Sequence, residues 1–252
     1  MKKNIIITGA SHGLGHDLAI DLSKENCSLF LTSRNYLELK KLKKKCTQSK
    51  VHNIYSADLT DINNCEKIFK EANIFFNKKI DVIIHVAGGG MGLKDFDIKY
   101  EDIIKVMNLN FFASLELNRL FLPQFIKRKK GNIVHIGSIA SNEAVGSLAY
   151  NISKASLSAY VRSLAYEISK YNIIVSGIAP GGFISKNNAM DRLKKKNLKA
   201  FNQFIKKRLP RNKMGLTKEI IPIIKFLCTN NAGMMSGCLI PIDGAEGKTY
   251  NK

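Results

Sequence analysis

Short β-branched runs alternate with helical stretches from one end of this chain to the other. The runs at residues 5–8, 28–32, 51–56, 81–86, 132–137, 173–178 and 238–242 read as strands. Several are apolar without a polar alternation, as expected of parallel strands covered on both faces. Helical patterns fill the intervals, among them 14–24, 65–76, 101–129, 150–170 and 218–228. Strands joined by helical crossovers predict an α/β fold: a Rossmann-type, doubly wound, seven-stranded parallel sheet. No linker, repeat or low-complexity segment interrupts the series, so a single domain over 1–252 is expected. One stretch, 184–213, is polar and lysine-rich and breaks the βα alternation. An insertion beyond a strand's C-terminal end predicts a mobile substrate lid.

Composition narrows the classes. No run approaches the ~18 apolar residues of a spanning helix, so no membrane segment is expected. The run Ile5-Ile6-Ile7 after Met1-Lys2-Lys3 is too short for a signal-peptide core and reads as the first strand. Cys27, Cys46, Cys65, Cys228 and Cys238 are odd in number and scattered, which predicts reduced thiols, a cytoplasmic setting and no metal site. The net charge is +20. Its lysines are spread over predicted exposed helix faces, as a lysine-rich composition would place them, and aromatics do not interleave with them as base stacking would require. Nucleic acid is therefore not an expected partner.

The loop after the first strand carries the cofactor signal: Thr8-Gly9-Ala10-Ser11-His12-Gly13-Leu14-Gly15, then an apolar helix. Glycines permit a sharp turn and close backbone approach to a pyrophosphate, and the helix N-terminus offers unpaired N–H groups to that anion. Farther on, Tyr150 and Lys154 stand four apart on a predicted helix and share a face. An ammonium beside a phenol favours the phenolate, which suits acid–base work.

The spacing T-G-x-x-x-G-x-G, with Asp58-Leu59, Asn110, Ser138, Tyr150-x-x-x-Lys154 and Pro180-Gly181 in order, resembles the classical short-chain dehydrogenase/reductase family over nearly the whole chain. The resemblance implies a hydride-transferring oxidoreductase acting on a carbonyl/alcohol pair. It makes Tyr150 the proton donor to the carbonyl oxygen and Ser138 its hydrogen-bonding partner. Lys154 would bind the nicotinamide ribose and acidify Tyr150, and Asn110 would hold a water connecting Lys154 to solvent. It assigns cofactor contacts to Gly9, Ser11, His12, Gly13, Leu14, Gly15, Asp58, Leu59, Ala87, Gly88, Pro180, Gly181 and Ser185, besides Tyr150 and Lys154.

Three positions depart from the family pattern. His85-Val86-Ala87-Gly88 replaces Asn-Asn-Ala-Gly, twelve positions rather than thirteen separate Ser138 from Tyr150, and Ser185 replaces a threonine. At the end of the second strand Ser33 occupies the place of the acid that would bind a ribose 2′-OH, and Arg34 follows. Arg34, with His12, suits a 2′-phosphate, so NADP(H) is expected over NAD(H).

Substrate walls are expected at 89–93, 139–149 and 184–208, with Asn142 and Glu143 available to a polar substrate. The basic run 127–130 and Lys170 resemble bacterial 3-oxoacyl-carrier-protein reductases, which implies an acidic acyl carrier protein as a further candidate partner beside a small-molecule carbonyl substrate. A sugar or surface-glycan precursor is the alternative substrate, and a non-catalytic dinucleotide sensor the alternative class. Phe111, Phe112, Leu115, Leu120 and Phe121 on one helix exceed what a single stripe requires, as do Leu157, Tyr160, Val161, Leu164 and Ile168 on another. A homotetramer or homodimer pairing these helices is expected, unless the surplus packs against the insertion.

Overall fold

The computed structural model describes residues 2–93 and 96–249; Met1, Lys94, Asp95 and residues 250–252, at the ends and within the expected domain, lie outside the described residues. In chain order the elements are β1 (Lys3–Thr8), α1 (Gly13–Leu22), β2 (Cys27–Ser33), α2 (Tyr36–Lys45), β3 (Asn53–Ser56), α3 (Asn64–Phe76), β4 (Val82–His85), α4 (Tyr100–Met107), α5 (Ala113–Arg128), β5 (Gly131–Ile136) and α6 (Leu148–Ile168). Then follow β6 (Ile173–Pro180), β7 (Phe183–Ile184), α7 (Ala189–Lys196), α8 (Leu198–Arg208), β8 (Gly215–Leu216), α9 (Thr217–Leu227) and β9 (Leu239–Ile242).

Seven strands form one sheet in the order β3-β2-β1-β4-β5-β6-β9, and every pairing is parallel. The expected doubly wound sheet is what the chain builds. Alternate side chains feed two cores. Ile5, Ile7, Leu29, Leu31 and Ile84 pack with α1 and α9 on one face. Ile6, Phe30, Ile83, Ile133 and Val175 pack with α3, α5 and α6 on the other. Both faces being covered explains why all seven residues of β2 are buried and why its sequence shows no alternation. The strand order reverses between β1 and β4, and in such sheets the ligand crevice lies at that reversal, beyond the strands' C-terminal ends.

Two elements differ from the sequence reading. The long helix expected over 101–129 is broken: a π-helical segment, Asn108–Phe112, separates α4 from α5. The 184–213 stretch, expected only as an irregular insertion, contains the two helices α7 and α8, begun by the side-chain caps Asn188 and Asn197. Its base is a small separate sheet pairing Phe183 with Gly215 and Ile184 with Leu216.

Candidate active site

The β1–α1 loop turns at Gly9 and Gly13, both at positive φ (67° and 64°). A Cβ on Gly9 would lie 2.6 Å from the Ala87 backbone nitrogen, so that glycine lets the cofactor loop pack flat on the segment following β4. Thr8 fixes the same junction, its hydroxyl accepting from the backbone N–H groups of Val86 and Ala87, each at 3.2 Å. Ser33 and its neighbour Thr32 are buried with hydroxyls that find no protein partner. Asp58 commits Oδ1 to Thr60 and leaves Oδ2 for an outside donor. A positive helix end, buried hydroxyls without partners and a half-engaged carboxylate fit a dinucleotide lying across this edge.

Across the reversal, Asn110 sits on the π-helical segment. Its amide oxygen accepts from Gly89 N–H at 2.9 Å, and its nitrogen donates to the carbonyls of Gly89 (3.0 Å) and Val106 (2.9 Å). A Cβ on Gly88 would stand 2.9 Å from Asn110 Oδ1 and 3.3 Å from Lys154 Nζ. Gly88 is therefore the gap into which both side chains reach. Lys154 is 3% exposed, donates to the Ile136 carbonyl at 2.8 Å, and lies 5.7 Å from the centroid of the Tyr150 ring. Burial lowers its pKa to about 8.

Ser138, at the end of β5, has extended backbone and uses its hydroxyl to cap the following turn, accepting from Ala140 N–H at 3.1 Å. Tyr150 follows in the first turn of α6. Burial pushes its phenol up from the ordinary value, and the Ser138 side chain works in the opposite direction. The expected lowering by Lys154 is not among the causes; burial is the larger effect, and the ammonium donates to the Ile136 carbonyl. The shortened loop depends on Gly146, where a Cβ would fall 2.7 Å from the Tyr150 ring and from Asn151 Oδ1.

Other expected residues have different engagements. Ser185 donates to Asp17 Oδ2 at 2.9 Å, and Thr217 donates to the same oxygen at 2.7 Å. Gly181 passes close to Asp243 and Glu246, where a Cβ would meet both. Asn142 and Glu143 line a cavity of about 150 Å³ with Arg162, Leu239 and Pro241, and neither Ser138 nor Tyr150 is among its wall residues. Glu143 accepts from Lys248 N–H at 2.7 Å. Along the rim Gly89–Gly92, Gly89 and Gly92 face open space, while a Cβ on Gly90 would lie 3.6 Å from the Ser147 hydroxyl and 3.8 Å from the Tyr150 Cβ.

The sequence reading missed a buried polar cluster beneath the site. His85 and His135 stack with centroids 4.7 Å apart. Asn118 joins them, accepting from His85 Nε2 at 2.8 Å and donating to His135 Nε2 (3.3 Å) and to Tyr160 (3.2 Å). Burial holds His85 near a pKa of about 4, and His135 also falls well below its ordinary value. His85 is thus a hydrogen-bonded core histidine. Polar residues at apolar positions of β5 and α5 were the available signal.

Comparison with known proteins agrees with this geometry. The family model described as short chain dehydrogenase matches residues 3–196. The chain is 29% identical over 252 residues to 7alpha-hydroxysteroid dehydrogenase of Escherichia coli K12, covering 99% of this chain and 96% of the relative. It is 29% identical over 243 residues to the 3-oxoacyl-[acyl-carrier-protein] reductase of Rickettsia conorii, covering 96% and 95%. The solved L-sorbose reductase of Gluconobacter frateurii, complexed with NADPH and L-sorbose, superposes with a TM-score of 0.88 at 24% identity, covering 98% and 97%.

Proposed function

The chain belongs to the short-chain dehydrogenase family, and from that premise we propose that it is an NADPH-dependent oxidoreductase interconverting a carbonyl and a secondary alcohol. The observation that carries this reading is the convergence of Lys154 and Asn110 on Gly88, one helical turn from Tyr150 and across the sheet reversal from the glycine loop. A dinucleotide bound there supplies the hydride. Tyr150 gives its proton to the substrate oxygen, and Ser138 hydrogen-bonds that oxygen as negative charge develops. Lys154, whose ammonium donates to the Ile136 carbonyl, would bind a ribose hydroxyl and hold positive charge beside Tyr150. Asn110 would anchor a water leading from Lys154 to solvent. Arg34 and His12 favour a 2′-phosphate, and NADPH in the sorbose reductase complex is in keeping with that choice.

For substrate we favour a 3-oxoacyl thioester, on the likeness to the Rickettsia reductase; its carrier protein would meet the basic run 127–130. A sugar ketone is the second reading, favoured by the likeness to the sorbose reductase. A sensor without catalysis is disfavoured by Ser138, Tyr150 and Lys154 standing together. Following NADPH oxidation with a 3-oxoacyl thioester, keto sugars and simple ketones decides among these, and oxidation with none of them overturns the enzyme reading.

We further propose that the 184–213 stretch is a lid, that the five cysteines, all free, suit a reducing cytoplasm, and that the chain forms a homodimer or homotetramer. Phe112 on the π-helical segment and Leu115 on α5 stay half-buried, as do Tyr160 and Leu164 on α6, where Ile152 and Tyr166 are exposed; Phe121, Leu157, Val161 and Ile168 are buried within the chain, and the insertion packs on its own apolar cluster. A sedimenting species of 28.1 kDa, the mass of one chain, overturns the oligomer.

A further inference from the structure

The insertion starts against the cofactor loop. Gly13 N–H donates to the Lys186 carbonyl at 3.2 Å. A Cβ built on Gly13 would lie 3.9 Å from the Asn188 Cβ. Ser185 is tied to Asp17 in the first turns of α1. One turn farther, the Arg192 guanidinium folds back on the Asn187 carbonyl. Lys186 and Arg192 are therefore held beside the loop that carries His12.

Electrostatics reports the same neighbourhood. His12 is held below its ordinary pKa by burial first, then by Arg34 and by Arg192. Glu38, in the first turn of α2, is held down first by Lys41, and Lys186 adds to the effect. Glu38 is paired with Lys41 at 2.7 Å. Among the described residues no carboxylate pairs with Arg34, Lys186 or Arg192. All three, and His12, are exposed. Cations from the β2 end and the insertion, with the neutral His12 imidazole between them, thus face one region whose nearby carboxylate, Glu38, is already paired with Lys41. Ser33, in place of an acid, leaves that region open to an anion. Mutual repulsion disfavours such a cluster, and a doubly charged phosphate relieves it.

We propose that Lys186 and Arg192 form the lid's half of a clamp on the ribose 2′-phosphate of NADP(H), so that the phosphate itself draws the lid closed. The proposal rests on the NADP(H) reading above. Arg34 and His12 form the fixed half of the clamp, Lys186 and Arg192 the moving half. NADH would occupy the same cleft and leave the lid unrecruited.

Equilibrium titration of NADPH and NADH against the full chain and its variants tests this. Lys186→Ala and Arg192→Ala should each weaken NADPH by about 3- to 10-fold, on the scale of an exposed charge-assisted contact, with NADH changed less than about twofold. Arg192→Lys should recover part of the loss. Hydrogen exchange across residues 186–208 gives a readout independent of turnover. In the wild type, 2′,5′-ADP should slow exchange there and 5′-ADP should not, and in Arg192→Ala the difference should vanish. Equal losses for both cofactors, or equal protection by both nucleotides, overturn the clamp. If the wild type binds NADPH and NADH alike, the NADP(H) reading fails and takes the clamp with it. If Arg34→Ala loses NADPH while the lid variants keep it, the clamp alone fails.

Discussion

The C-terminal edge of the sheet, where the candidate site lies, and the insertion proposed as its lid are built on opposite terms. At the edge, Lys154, Asn110, His85 and His135 are buried among hydrogen bonds that fix each side chain. The lid has an apolar cluster of only three buried residues, Phe201, Leu209 and Met214. Its outer surface is rich in lysine, and its attachments include the short β7–β8 pairing, the Gly13 N–H on the Lys186 carbonyl, Ser185 on Asp17, and Arg208 on the buried carboxylate of Glu246 at 2.8 Å. On the proposed reading, chemistry requires this edge to be rigid, and substrate entry requires the insertion to open. A segment that buries little apolar surface opens at small free-energy cost while the sheet stays folded.

The largest expected difference is in stability. Phe121 is fully buried between α5 and the sheet and meets Phe69 edge-on at 4.9 Å. Phe121→Ala should lower the unfolding free energy by about 3–5 kcal/mol. Phe201→Ala removes as large a side chain from the insertion's cluster, yet global stability should change by about 1 kcal/mol or less if the insertion opens below the global transition as proposed. Urea titration measures both, and equal losses would show that lid and sheet form one cooperative unit.

Acid should act on the edge before the lid. The folded chain keeps His85 neutral down to about pH 4, whereas the unfolded chain takes up that proton near 6.5. The stability gained is complete above pH 6.5 and is lost as pH falls toward 4, on the order of 3 kcal/mol for this group. The stacked His135, also shifted down, adds in the same direction. The buried lid residues Phe201, Leu209 and Met214 hold no titratable group. His85→Asn should therefore flatten the decline of the urea midpoint between pH 6.5 and 4, and an unchanged decline would show that other groups cause it.

The edge was legible from the sequence to a degree that the lid was not. Strands covered on both faces must be apolar throughout, so the runs that became β1, β2 and β6 stood out. Tyr150 and Lys154 were readable because helical spacing alone puts them on one face. The break at Asn108–Phe112 was hidden: a π-helical segment adds one residue to a turn while the apolar pattern continues on both sides. Helices α7 and α8 were hidden behind the lysines that fill their outer faces, although Met190 and Leu193 on α7 and Phe201, Phe204 and Ile205 on α8 keep a helical spacing, and the caps Asn188 and Asn197 start them. Asp17 and Glu246 could not be found, since their partners lie far along the chain, and Asn118 and His135 showed only as polar residues at apolar positions of α5 and β5. Ser185 reaches Asp17 across 168 positions, and His85 reaches Asn118 across 33.

Catalysis should depend on the edge alone. Tyr150→Phe removes one hydroxyl from the first turn of α6, so NADPH affinity should hold while turnover falls by at least ~100-fold. Wild-type turnover in this variant would remove Tyr150 from the proton-donating role.

The smallest expected effect concerns the hinge between the two regions. Asp17 receives Ser185 from the lid base at 2.9 Å and Thr217 from the start of α9 at 2.7 Å, and His16 Nδ1 lies 3.1 Å from its other oxygen. One carboxylate thus holds the lid to α1 and α9 to α1, through two bonds that differ only in what they restrain. Ser185→Ala deletes the first, and exchange across 186–208 should quicken by the equivalent of about 0.5–1.5 kcal/mol, the net worth of a hydrogen bond. Thr217→Val deletes the second at nearly constant shape and should leave lid exchange unchanged, since α9 stays packed on α1 through Ile220, Ile221 and Ile224. Measured without cofactor, the pair separates a tether from a general loosening. Faster lid exchange in both variants would mean that Asp17 supports the whole corner and that the lid has no hinge of its own.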